Sequence, residues 1–157
     1  MVPLGFMKVH PEAKMPERAH PTDAGMDVYA VELTRLEPFK PTLVRTGLVP
    51  DILDGYELQV RPRSGLALKH GVTVWNSPGT IDSGYKSEIG IIMLWTPYAN
   101  ETDSEGHHPH GFIINKGDRI AQFVLAPVTP CKVREVFSVG ESIRTRTGHN
   151  GFGSTGR

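Results

Sequence analysis

Apolar residues along this chain come in short runs between turn signals, and no stretch keeps a helical period over several turns. Runs at 7–9, 43–49, 56–60, 72–75, 89–95, 112–114, 120–125 and 133–139 are rich in Val, Ile, Leu, Phe and Tyr. Gly and Pro recur between them along the whole chain rather than collecting in a linker. That pattern predicts an all-β sandwich or barrel. One stretch departs from it. The strand at 56–60 runs through Arg61-Pro62-Arg63 into Ser64-Gly65-Leu66-Ala67-Leu68-Lys69-His70-Gly71. Ser64 as N-cap and Gly71 as the residue past the C-terminus predict one or two turns of helix. A second stretch, Gly79 to Trp95, predicts a tight β-hairpin. Turn residues flank it, β-branched and aromatic residues fill both arms, and Asp82 stands near the bend.

Composition narrows the class. A chain of 157 residues with 38% hydrophobic and 22% charged residues predicts one folded domain. Seventeen basic and seventeen acidic residues balance, which argues against a protein that coats nucleic acid or an acidic membrane. A local basic pocket stays open to it. The single cysteine, Cys131, rules out an intrachain disulfide and reads as a small buried apolar residue in a reducing compartment. The longest purely apolar run, Ile91 to Trp95, is too short to span a bilayer, and residues 1–10 carry no secretory core. The expectation is a soluble, cytoplasmic protein without a membrane partner.

Several polar residues sit where apolar ones are expected. Asp82 beside its turn is either a turn brace or a carboxylate facing a water. Asp27 follows the small residues Ala24-Gly25, where two backbones can approach closely; it is a structural acceptor or part of a site. Arg63 and Ser64 at a helix start form either an anion site or a capped connector with solvated arginines. Asn76 can pair with a base edge or brace its turn. Gln122 is polar inside an otherwise buried strand and needs a partner there. Residues 96–111 form a long polar excursion; His107, His108 and His110 within it read as solvated rather than metal-bound. The tail from Arg144 combines glycines, hydroxyls and arginines with one aromatic. It cannot build a core, but its N–H groups with Ser154 and Thr155 suit a phosphate, and Phe152 offers a stacking face.

Taken together, five stretches resemble the five signature motifs of the trimeric dUTP diphosphatase family, in order. They are Ala24-Gly25-Met26-Asp27, Pro62-Arg63-Ser64-Gly65-Leu66-Ala67, Gly79-Thr80-Ile81-Asp82-Ser83-Gly84-Tyr85, Gly117-Asp118-Arg119-Ile120-Ala121-Gln122 and Gly151-Phe152-Gly153-Ser154-Thr155-Gly156. The resemblance implies a distorted jelly-roll barrel over 1–143, a homotrimer with sites shared between chains, and a tail over 144–157 that covers bound nucleotide. It implies hydrolysis of dUTP to dUMP and pyrophosphate, limiting uracil in DNA, with Mg²⁺ held by the substrate's phosphates and water. Asp82 would orient and deprotonate the attacking water. Arg63, Ser64, Gly65 and Gln122 would contact phosphates, and Asp27 would act indirectly, through water around the metal or by bracing an interface. Thr80, Ile81 and Gly90, with Asn76, would read the uracil edge, and Tyr85 would exclude a 2′-hydroxyl. Ser154 and Thr155, with Gly153 among the substrate-binding residues, would hold the γ-phosphate, and Phe152 would cover the uracil.

The chain departs from the family pattern in three places. The tail arginine's usual position is Thr147, with Arg146 next to it; the hairpin has Lys86-Ser87 in place of Arg-Gly; and the excursion at 96–111 is long enough to be a surface for a regulatory protein partner. Two other classes therefore compete: a nucleotide-gated regulatory module, and an enzyme related to dCTP deaminase. A plain β-sandwich binding module would leave the ordered motifs unexplained.

Overall fold

The computed structural model of the chain describes residues 2–98 and 111–138. Eleven strands and one helix follow in the order β1 (Leu4–Lys8), β2 (Met26–Tyr29), β3 (Thr34–Leu36), β4 (Thr42–Arg45), β5 (Leu48–Ile52), β6 (Tyr56–Arg61), α1 (Ser64–His70), β7 (Val72–Val74), β8 (Gly79–Asp82), β9 (Gly90–Trp95), β10 (Phe112–Ile114) and β11 (Arg119–Pro127). The all-β expectation with one short helix holds. Every ladder is antiparallel. A four-stranded sheet, β2-β11-β6-β8, faces a three-stranded sheet, β4-β9-β7, and two-stranded ladders β1-β5 and β3-β10 complete the roll.

Alternation along the strands builds the core. In β9 and β7, Ile91, Met93, Trp95, Val72 and Val74 are buried; from the other sheet come Val28, Leu58, Val60, Ile81 and Phe123. Phe6 stacks on Phe123, with ring centroids 5.8 Å apart. In β11 two consecutive residues, Ile120 and Ala121, are both buried. Strict alternation forbids this, and a register shift between Arg119 and Ala121 permits it.

Several expectations from the sequence are corrected. The run at 43–49 is two strands rather than one. Gly47 has φ +70° and turns the chain between β4 and β5. Beside it, the Thr46 side chain is buried, donates to the Ile89 carbonyl (2.7 Å) and accepts from the Leu48 N–H (3.3 Å). Ser64 is the first residue of α1, not its N-cap. Arg63 holds the extended backbone of the cap position and makes no side-chain cap bond. Gly71 does end the helix in the left-handed conformation, its N–H on the Ala67 carbonyl. The run at 133–139 forms no strand over its described part: Val133 and Phe137 are 91% and 98% exposed, and among the described residues no strand pairs with them. Cys131 lies in the same stretch and is exposed, not buried. Among the described residues no helix is long and apolar enough to cross a membrane.

The Thr46 hydroxyl is the hinge of the β4–β5 corner. Thr46→Val keeps its shape and leaves the buried Ile89 carbonyl without this donor. We expect unfolding free energy to fall by about 1–3 kcal/mol in urea titrations, while Thr42→Val, at an exposed hydroxyl on the Lys40 carbonyl, changes it little.

Candidate active site

The predicted hairpin at 79–95 is not a hairpin. β8 pairs with β6, from Glu57↔Asp82 to Val60↔Gly79. β9 pairs with β4 and β7 in the facing sheet. The two arms diverge, and among the described residues β8 has no strand on its other edge. A free edge presents unpaired N–H and C=O groups. The gap between the arms is a pocket of about 140 Å³ lined by Val60, Asn76, Gly79, Thr80, Ile81, Tyr85, Ile89, Gly90, Ile91 and Ile92. Five residues singled out from the sequence (Asn76, Thr80, Ile81, Tyr85 and Gly90) thus meet around one cavity. Thr80 and Ile81 are neighbours on one strand, so their side chains point to opposite faces. Both can border the pocket only because the strand's backbone forms part of its wall. Asp82 follows at the end of β8, exposed, and its carbonyl accepts the Tyr85 N–H at 3.0 Å.

The loop from Ser83 to Ile89 is fastened outside the pocket. Tyr85 donates its hydroxyl to the Glu88 carbonyl at 2.8 Å. The Glu88 carboxylate accepts from Arg45 Nη2 at 2.8 Å and from the Gly47 N–H at 2.9 Å. Ile89 donates its N–H to the Leu48 carbonyl at 2.8 Å. The Arg45 hydrogen bond holds the Glu88 carboxyl below the ordinary carboxylate range, against burial, which pushes it up; the Gly47 N–H adds to the lowering. Nearer Asp82, Ser83 donates to Asp54 Oδ1 at 2.9 Å.

A second group gathers where β2, β11 and β6 run together. Asp27 takes Arg63 Nε on one oxygen at 3.0 Å and Arg119 Nη1 on the other at 3.2 Å. Gln122, opposite both Asp27 and Arg61 in the ladders, donates Nε2 to the Pro62 carbonyl at 2.8 Å. The polar residue in a buried strand therefore has its partner, at the entrance to α1. Close approach at Gly25 is by the Gln122 amide rather than by a second backbone: any Cβ on Gly25 would collide with it. Ser64 and Gly65 follow Arg63 directly, and nothing lies within 4 Å of where a Gly65 side chain would start. Arg63 and Arg119 also border a cleft with Leu66, His70 and Phe112.

The two groups stand at opposite ends of β6. Asp82 faces Glu57 near its start; Arg63 and Ser64 lie past its end at Arg61. At about 3.3 Å per residue the separation is roughly 15–20 Å. Among the described residues no three His, Cys, Asp or Glu side chains are grouped to hold a metal ion. Arg146, Phe152, Gly153, Ser154 and Thr155, and the histidines of the 96–111 excursion, lie outside the described residues. Sequence reasoning missed Arg119 as the second partner of Asp27, and it missed the Arg45–Glu88 pair. The only trace of that pair was an arginine ending the apolar run Leu43-Val44 and a glutamate just before Ile89.

Because its folded pKa is lowered, Glu88 contributes stability that is fully present above its unfolded value and lost as pH falls through the folded value. Unfolding midpoints in urea should therefore separate wild type from Glu88→Gln near neutrality and draw together progressively as pH falls below the reference glutamate value of about 4.3. A gap that persists unchanged in acid would contradict this origin.

The comparisons with known proteins agree with this geometry. The chain matches the sequence model of the dUTPase family over residues 11–156. It is 44% identical over 146 residues to the deoxyuridine 5'-triphosphate nucleotidohydrolase of Clostridium tetani, covering 93% of this chain and 91% of that protein. It is likewise 44% identical to the protein of that name from Picosynechococcus, over 98% of both chains. The structure resembles the dUTPase of Staphylococcus bacteriophage 80alpha solved with dUPNHPP, with a TM-score of 0.84, 30% identity and 99% coverage of each chain. The free-edged pocket, the arginine-bound aspartate and these matches lead to one assignment: the chain belongs to the dUTPase family.

Proposed function

We propose that this protein hydrolyses dUTP to dUMP and pyrophosphate, at sites built from more than one copy of the chain. The observation that carries the reading is the pocket between β8 and β9, with its free strand edge and its ring of Asn76, Thr80, Ile81, Tyr85 and Gly90. Uracil has a flat edge of alternating donors and acceptors, which suits an unpaired strand edge with one amide side chain beside it. Cytosine would leave those groups mismatched, and unpaired buried polar groups discriminate strongly. Tyr85 at the pocket's side would leave no room for a ribose 2′-hydroxyl.

Asp82 stands one residue beyond the pocket wall. In this reading it accepts a proton from the water that attacks the α-phosphorus in line, while pyrophosphate leaves. An ordinary aspartate is a weak base, so positioning and charge neutralisation supply most of the rate enhancement. Arg63 faces the phosphates, oriented by Asp27; Ser64 offers a hydroxyl and Gly65 a backbone N–H with no side chain beside it; Gln122 contributes its amide nearby. The separation of about 15–20 Å along β6 is too long for one chain's Asp82 and Ser64 to flank the same phosphorus. A neighbouring copy supplying the second group resolves this, and a homotrimer is the arrangement the resemblance implies. The exposed Val133 and Phe137 on a strandless arm fit such an assembly. The tail, through Arg146, Phe152, Gly153, Ser154 and Thr155, would close over base and γ-phosphate.

Mg²⁺ would arrive on the triphosphate and supply charge neutralisation there; the phage phi11 enzyme of S. aureus has a structural Mg(II) ion. Both Asp27 oxygens are engaged by arginines, so Asp27 would help hold the ion only indirectly, through water, and the substrate's phosphates would be its main ligands. Work on free nucleotides fits the cytoplasmic location suggested by the composition, and removing dUTP would limit uracil in DNA. A regulatory role beside catalysis is the second reading. Its support is the likeness to the 80alpha enzyme, which is described as controlling transfer of virulence genes.

Pyrophosphate release should be fast from dUTP and slow from dCTP, dTTP and UTP, and Asp82→Asn should cut the dUTP rate by about 10²–10⁴. An unchanged rate would remove Asp82 from the mechanism. Tight binding of dUpNHpp with no hydrolysis of dUTP would favour the regulator, and ammonia from dCTP the deaminase.

A further inference from the structure

We infer that Arg45 and Glu88, which do not border the pocket, are positioning residues for sugar discrimination, acting through Tyr85. The inference rests on the reading that Tyr85 is the wall against a ribose 2′-hydroxyl.

The connection runs through named atoms. Among the described residues the Tyr85 hydroxyl donates to the Glu88 backbone carbonyl at 2.8 Å. That carbonyl belongs to a residue whose side chain Arg45 grips with Nε at 3.2 and 3.3 Å and with Nη2 at 2.8 Å, while the Gly47 N–H donates to one carboxylate oxygen at 2.9 Å. The next residue, Ile89, lines the pocket and is pinned at both backbone groups, its N–H by the Leu48 carbonyl and its carbonyl by Thr46. Arg45 also reaches Glu32 at 3.5 Å. The β4–β5 corner thus grips the loop at 88–89, and the loop grips the tyrosine.

Rejecting one hydroxyl group by shape needs a wall that does not yield. A displacement of the order of 1 Å far from the chemistry is enough to change rates strongly. Tyr85 itself is partly exposed, so core packing does not immobilise it, and its hydroxyl anchor is the restraint available. A partly exposed ion pair such as Arg45–Glu88 makes only a modest contribution to global stability, the pH-dependent one expected above for Glu88→Gln. A purely structural role therefore predicts a small stability change and no change in the preference between nucleotides.

The test is steady-state hydrolysis of dUTP and UTP by wild type, Arg45→Met, Glu88→Gln, Tyr85→Phe, Tyr85→Ala and the double variant Arg45→Met/Tyr85→Phe, with circular dichroism of each. Arg45→Met and Glu88→Gln should keep the fold and lower the dUTP-over-UTP ratio of kcat/KM by about tenfold, with the loss on dUTP falling mainly on KM. Tyr85→Phe should do the same, and the double variant should be no worse than Tyr85→Phe alone, because both changes cut one chain of contacts. If Arg45→Met unfolds, the near-isosteric Glu88→Gln decides. A preference that survives Arg45→Met and Glu88→Gln but is lost in Tyr85→Ala overturns the positioning role and spares Tyr85. A preference that survives Tyr85→Ala removes the sugar wall, and the positioning role with it.

Discussion

The structure turns on one constraint: the strands at 79–82 and 90–95, close in sequence, must belong to different sheets. Had they paired with each other, the edge of β8 would be satisfied and no pocket would exist. Each arm is drawn away by its own ladder, β8 by β6 and β9 by β4 and β7. The loop between them is kept from collapsing by Arg45, Gly47, Thr46 and Leu48 at the β4–β5 corner. A turn with φ +70° at Gly47, remote from any chemistry, therefore helps decide whether a base can be read.

The second constraint is electrostatic. Two arginines, Arg63 and Arg119, converge on Asp27 near the start of α1. Without the carboxylate their charges would repel, and Arg63 would keep only the hydrogen bond from its Nη1 to the Arg119 carbonyl, at 3.3 Å. With it, the chain presents an oriented cation beside a free helix start, at the far end of β6 from Asp82. Binding groups and the candidate base are thus well made but separated, and the fold of a single chain leaves them so.

Much of this was legible in the sequence, and the limits have physical causes. Strand class, the helix at 64–70 and the burial of Ala121 and Phe123 follow from local pattern, whereas the burial of Ile120 beside Ala121 needs the register shift in β11. Of the pocket residues, Asn76 stood out by its own chemistry, whereas Thr80, Ile81 and Gly90 were reached through the resemblance of the motif at 79–85 and its surroundings. What could not be read was partnership. Alternation says that 79–82 and 90–95 are strands, but not that they avoid each other; that depends on which edges other strands reach first. The same holds for β10 and β11, which join β3 and β2 rather than one another. The short strand Thr34-Arg35-Leu36 escaped notice because three residues carry too little pattern. The arm at 133–138 has strand composition but pairs with no strand among the described residues, and Cys131 is exposed with it. Arg45–Glu88 joins residues far apart in the chain, and nothing in the sequence singles out that pairing.

The central claim is that a working site combines the β8–β9 pocket and Asp82 of one copy with the Arg63–Ser64 group of another. The most direct measurement is complementation. Asp82→Asn and Ser64→Ala are each purified as inactive or nearly inactive proteins, then produced together in one assembly, and dUTP hydrolysis is measured. Shared sites predict that mixed assemblies recover a substantial part of wild-type activity, since some sites then contain both intact groups. Mixed assemblies no more active than the average of the two parents would contradict the account and require every site to be built within one chain.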